Sequence, residues 1–216
     1  MTFNEQWIAF ITIVRKEVRR FLRIWMQTLL PPAITMSLYF IIFGALIGSR
    51  IGQMGGFSYM EFVVPGLIMM SVITNAYSNV VSSFFGAKFQ RFVEEILVSP
   101  MSNNTVLWGY VVGGVSRGLL VGLIVTLLSL FFTKLHIQHL GITIGIVALT
   151  SVMFSLAGFI NAVYANNFDD VSIVPVFVLT PVTYLGGVFY SIDLLPEFWA
   201  NVSRLTPCFP RSRTTA

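Results

Sequence analysis

The sequence predicts an all-α integral membrane protein: an N-terminal amphipathic interface helix, five transmembrane helices, and a short re-entrant or interfacial helix near the end. Three observations carry this expectation. Of 216 residues, 56% are hydrophobic and only 10% charged, whereas soluble domains carry about 25% charged residues. The apolar residues come in long runs, and a run of about 20 crosses the hydrocarbon core as a helix. Arg15, Lys16, Arg19, Arg20 and Arg23 cluster just before the first such run, which is the pattern of a cytoplasmic flank. A single membrane domain accounts for 1–216, with the interface helix in 1–24, the bundle in 25–205 and an atypical basic tail in 206–216.

The N-terminal helix is read over 4–23. Trp7, Phe10, Ile11, Val14, Val18, Phe21 and Leu22 recur at intervals of three and four, and the basic residues occupy another side. Aromatic anchors on one face and cations on the other describe a helix lying in the membrane interface. The first span is placed at 27–47, kinked by or starting after Pro31 and Pro32. A glycine-containing loop leads to the second span at 62–85. The third run, 106–132, is interrupted by Arg117 alone, and the fourth covers 140–164. The fifth, 171–190, contains Pro175 and Pro181, and 191–205 is too short to cross. With the N-terminus inside, the cytoplasmic side holds the cluster plus Lys88 and Arg91, against Arg50, Lys134, Arg204, Arg211 and Arg213 outside. That excess supports a cytoplasmic N-terminus. A cleaved signal peptide is not expected, because residues 1–10 carry Glu5 and no basic residue.

Several functions are excluded by what is missing. The glycine pair Gly109 and Gly114 is followed by Val115-Ser116 rather than Lys-Ser, so no phosphate-binding loop is present. His136 and His139 read as turn histidines rather than metal ligands, and the basic cluster reads as a topology signal rather than a nucleic-acid site. Proton-coupled carriers place acids deep in their spans, and these spans have none. Arg117 reads either as snorkelling to lipid phosphates, the favoured sense, or as marking a substrate cavity. Asn75, Asn79, Ser82 and Ser83 share one face of the second span, as a hydrophilic path or as interhelical hydrogen bonds. Gly114, Gly118 and Gly122 form a close-packing row, within the chain or across a dimer.

The polar stretch 86–104 holds a short amphipathic helix over 88–97. Phe89, Phe92, Val93, Ile96 and Leu97 line one face, and Lys88, Arg91, Glu94 and Glu95 provide mixed charge. A mere connector needs fewer residues. Docking to a cytoplasmic partner accounts for it.

Four stretches taken in order resemble the ABC-2 type transporter permeases, the membrane subunits of bacterial ATP-binding-cassette exporters. These are Arg15-Lys16-Glu17-Val18-Arg19-Arg20-Phe21, the segment from Pro31-Pro32 to Phe43-Gly44, the run from Arg91 to Pro100, and the segment from Pro181 to Pro207. The resemblance implies export across the bacterial inner membrane by a homodimer bound to a separate ATPase subunit, which would carry ATP and magnesium. This chain would then hold no cofactor and catalyse no reaction itself. It implies ATPase-coupling roles for Glu17, Arg91, Glu94, Glu95 and Pro100, and a translocation path past Asn75, Asn79, Ser82, Ser83 and Arg117. An ATP-independent carrier or an inactive fragment is the alternative. Such permeases continue from a Leu-Asn-Pro-like element into a sixth span, whereas Leu205-Thr206-Pro207 leads here into a short basic tail. A chain cut short before its last span is therefore expected.

Overall fold

The computed structural model describes residues 2–48, 53–54, 57–133, 139–185 and 188. Helix α1 spans Phe3–Arg23 and starts in a capping box, with the Thr2 amide donating to Glu5 Oε2 at 2.8 Å. Its last turn carries Arg20 and Arg23, favourable beside the exposed carbonyls. Ile24 breaks the helix, and a single turn, α2, follows at Trp25–Thr28. The Thr28 hydroxyl donates back to the Phe21 carbonyl at 2.9 Å and closes the joint. Helix α3 runs over Leu30–Ile41 with Pro31 and Pro32 in its first turn, where a missing N–H leaves no bond unmade. A π-helical segment, Ile42–Gly48, extends it.

Two two-residue strands, β1 at Gln53–Met54 and β2 at Phe57–Ser58, pair antiparallel inside the expected loop. Helix α4 covers Tyr59–Phe89, opened by a Ser58–Glu61 capping box. At 1.5 Å per residue its 31 residues make a rod of about 46 Å. Arg91, with φ of 63°, turns the chain into α5 at Phe92–Val98. Helices α6 (Asn103–Ser129) and α7 (Leu140–Tyr164) follow. Helix α8 (Phe168–Val174), a π-helical turn (Pro175–Leu179) and α9 (Thr180–Leu185) end the described chain.

Among the described residues, four helices are long and apolar enough to cross a membrane: Trp25–Gly44, Tyr59–Phe89, Asn103–Ser129 and Leu140–Tyr164. The fifth expected span, 171–190, is described only to Leu185. There Phe168–Leu185 is one helical stretch, α8 and α9 joined through the π-helical turn that begins at Pro175. The expected segment 191–205, the tail 206–216 and His136 lie outside the described residues. Lys88 also differs from expectation. It belongs to the last turn of α4, and its ammonium donates to the carbonyls of Val163 at 2.6 Å and Ala165 at 2.7 Å, capping the end of α7.

Helix α4 is the centre of the bundle, packed on α6 and α7, while α1 and α3 pack on α6. The approach is close because α6 offers glycines on two faces. A Cβ on Gly118 would lie 2.9 Å from Ala76 Cβ, and one on Gly122 2.6 Å from Val72 Cγ2. On another side, a Cβ on Gly109 or Gly113 would meet Ile13 Cγ2 or Glu17 Cβ, each at 2.6 Å. The row Gly114, Gly118 and Gly122 is therefore a packing face within the chain. One apolar core gathers Tyr77, Phe84, Tyr110 and Phe154, and a second gathers Phe40, Met60, Leu67 and Val125. Ile142, Ile146, Leu149, Met153 and Ile160 of α7 stay exposed, as expected of a lipid-facing surface.

Candidate functional site

The polar residues singled out in the sequence fall into a buried seam and an exposed loop helix. Glu17 lies one turn from Ile13 and from Phe21, so the face of α1 that packs on α6 carries a carboxylate inward. It is 0% exposed. Both of its oxygens are satisfied: the Ser83 hydroxyl of α4 donates to Oε1 at 2.7 Å, and Arg20 donates to Oε2 from Nη2 at 3.2 Å and Nε at 3.3 Å. Arg20 Nη2 also reaches the Asn79 side-chain oxygen at 2.8 Å and its backbone carbonyl at 3.0 Å. Hydrogen bonds to ionised groups are among the stronger ones, and a buried carboxylate needs them to stay charged. They lock α1 onto α4.

Further along α4, Asn75 accepts from Arg117 Nη2 of α6 at 3.1 Å and donates to the Ser71 carbonyl at 3.0 Å. The favoured sense of Arg117, snorkelling to lipid, does not hold for this arrangement. Its guanidinium turns to the neighbouring helix because Asn75 offers an acceptor at the same depth. Ser71 Oγ, Asn79 Nδ2, Tyr110 Oη, Arg117 Nε and Ser155 Oγ are buried without a hydrogen-bond partner among the described residues.

The four-residue polar stripe on α4 is split by the fold. Asn75, Asn79 and Ser83 are buried, but Ser82 is exposed and donates back to the Asn79 carbonyl at 3.2 Å. At 100° per residue it lies past the edge of the face toward α1 and α6. Glu17 is also displaced from the surface position expected of a residue that meets a partner. It joins Asn79 and Ser83 in one network. Arg91, Glu94, Glu95 and Pro100 remain exposed, as do Phe92, Leu97 and Val98 around them.

Gln6, not singled out in the sequence, ties α1 to the loop after α5. Its amide nitrogen donates to the Pro100 carbonyl at 3.3 Å, and its oxygen accepts from the Ser102 amide at 3.1 Å and the Thr105 hydroxyl at 2.7 Å. Around this clasp, Phe3, Trp7, Phe10 and Trp108 line a shallow hollow. Nothing in the local sequence marks Gln6, because its partners are nearly a hundred residues away. Arg20 carried a readable signal, the i,i+3 spacing from Glu17, but one more cation in a basic cluster first suggests topology. Among the described residues, no group of three or more His, Cys, Asp or Glu side chains is placed to hold a metal ion.

Several apolar helices around a sparse polar seam, with an amphipathic helix outside it, define a polytopic membrane protein. The sequence model of the ABC-2 type transporter family matches residues 8–210, and the chain belongs to this family. It is 63% identical over 201 residues to the inner membrane transport permease YadH of Escherichia coli K12, covering 93% of this chain and 78% of that protein. More distantly it resembles nodulation protein J of Rhizobium leguminosarum bv. viciae, 23% identical over 171 residues, or 79% of this chain and 66% of that protein. Nodulation protein J of Rhizobium meliloti strain 1021 is 21% identical over 202 residues, or 93% of this chain and 76% of that protein.

Proposed function

We propose that this chain is the inner-membrane permease subunit of an ABC exporter, working as a homodimer and driven by a separate ATPase that binds ATP and magnesium. The observation that carries the reading is α5. This short helix exposes Glu94 and Glu95 beside Phe92, Leu97 and Val98, and Gln6 clasps the loop after it to α1. A mixed apolar and charged surface of that kind suits docking to a protein partner. The excess of basic residues in and around α1 supports a cytoplasmic location for this end, with α1 in the membrane interface. The Escherichia coli relative is an inner membrane transport permease, which supports the same membrane here.

In this reading the ATPase grips α5 through Arg91, Glu94, Glu95 and Pro100. Its closure moves α1 and α5 together, because Gln6 joins them. Glu17 transmits rather than touches. Held by Ser83 and Arg20, it passes displacement of α1 into α4, where Asn79 meets Arg20 and Asn75 meets Arg117 of α6 along the translocation path. Packed helices shift as rigid bodies with small sliding at their contacts.

The test is recovery of the ATPase subunit on the tagged permease from solubilised membranes. Reversing Glu94 and Glu95 together to Lys should lower recovery about tenfold, the effect of losing about 1.4 kcal/mol. Unchanged recovery would remove α5 from the contact. Orientation is checked with Cys208→Ser and Ser99→Cys in one chain. A membrane-impermeant thiol reagent should label it only after the membrane is opened.

A further inference from the structure

Arg117 sits at the fifteenth of the 27 residues of α6, and its partner Asn75 at the seventeenth of the 31 residues of α4. Both are at the centres of helices long enough to cross the bilayer, so the pair lies near its midplane. A cation there is expensive unless something compensates it. No acidic residue occurs in α3, α6 or α7, and none in α4 beyond Glu61 in its first turn. Among the described residues Arg117 has no carboxylate within 4 Å. The seam's other cation, Arg20, is already matched by Glu17. A guanidinium presents five N–H donors in a planar fork, and the hydrogen bond formed here goes to a neutral amide.

The orphaned atoms around it share one property. Ser71 Oγ and Asn79 Nδ2 lie one turn below and above Asn75 on α4, with Arg117 Nε opposite. Every one of them can donate a hydrogen bond, and the two nitrogens can only donate. Among the described residues, these atoms leave donors to spare beside Arg117 and no carboxylate within 4 Å of it. Water can accept from the donors but brings no negative charge.

We infer that Arg117, flanked by Asn75, Ser71 and Asn79, is a midplane recognition point for an oxyanion group (phosphate, sulfate or carboxylate) on the molecule the permease moves. The inference rests on the permease reading and adds a substrate class to it. Arg suits the role because its fork meets two oxygens at once. The neutral Asn75 holds the guanidinium in place without cancelling its charge.

The experiment uses the full chain in a neutral detergent, without any ATPase, so its outcome is independent of partner capture. Dioleoyl phosphatidic acid and dioleoyl phosphatidylcholine are offered in turn, and retained lipid is counted by native mass spectrometry. In a separate arm inorganic phosphate is added and the unfolding midpoint followed. Wild type should retain phosphatidic acid over phosphatidylcholine by about tenfold or more, the effect of one charge-assisted hydrogen bond. Arg117→Gln should abolish the preference. So should Asn75→Asp, which places an internal carboxylate against the guanidinium and keeps the fold paired. A midpoint raised by phosphate in wild type and in neither variant identifies a soluble anion; an effect of phosphatidic acid alone identifies one anchored to lipid. Equal retention of the two lipids with no response to phosphate overturns the inference. A preference that survives both variants also overturns it, and moves the anion to the basic face of α1.

Discussion

Helices α4 and α7 are both continuous helices of membrane length, α4 with Pro65 in its second turn, yet one is the hub of the bundle and the other its wall. Helix α4 buries Ser71, Asn75, Asn79 and Ser83 with Val63, Leu67, Val72 and Val80. Helix α7 turns Ile142, Ile146, Leu149, Met153 and Ile160 outward and keeps Ser151, Ser155, Gly158 and Ala162, spaced by three and four, against α4. The inward face of α7 is the less hydrophobic one. In lipid, bulky apolar surface gains little by hiding, so small and polar residues that permit close contact and hydrogen bonding choose the inner face. Apolarity shows that a helix spans. It does not show which side looks in.

Four measurements test that contrast, each by unfolding of the full chain in detergent micelles. The largest effect is expected where α4 receives a charge. Glu17→Ala leaves the Ser83 hydroxyl unpaired and the partly exposed Arg20 without its counter-ion and should cost about 3 kcal/mol, with Glu17→Gln recovering part of it through Ser83. An unchanged midpoint would mean that α1 is held by apolar contact alone. Next comes steric intrusion. Gly118→Leu drives a side chain into Ala76 and the Val72 backbone and should cost about 1–3 kcal/mol, whereas Gly145→Leu on α7, with nothing within 4 Å, should cost less than about 0.5 kcal/mol. If the two glycines respond alike, the assignment of inner and outer faces is wrong. Smaller still is Asn161→Ala, which removes the 2.7 Å bond to the Tyr77 hydroxyl at the α4–α7 contact and should cost about 0.6 kcal/mol. Ile146→Ala on the outer face should sit below all of these, within about 0.5 kcal/mol of wild type.

Much of the scaffold is legible in the sequence because local chemistry dictates it. Pro31 and Pro32 fall in the first turn of a helix, and the long apolar runs appear as helices of membrane length. The glycine row of α6 was readable from its four-residue spacing, and its partner helix was not. The site was less legible. A shared face grouped Asn75, Asn79, Ser82 and Ser83, but helical spacing cannot say where the edge of a neighbour falls, and Ser82 lies beyond it. Glu17 looked like one member of a charged surface cluster. Its burial follows from the fit of α1 against Gly109 and Gly113 on a helix that begins eighty residues after α1 ends. Arg117 was ambiguous for the same reason: its direction depends on an acceptor on another helix at the same depth. The fifth run keeps a helical backbone through Pro175 and Pro181 in its described part, with a π-helical turn between α8 and α9.

The length of α4 has a mechanical consequence. A rod of about 46 Å in a hydrocarbon layer of about 30 Å extends well beyond it, and the chain turns into α5 at one tip. Rotating such an arm by about 10° sweeps its end through about 8 Å relative to the other, while Asn75, near the fulcrum, scarcely shifts. Leverage of this kind turns a broad swing at the tip into a fine adjustment at mid-depth, or the reverse.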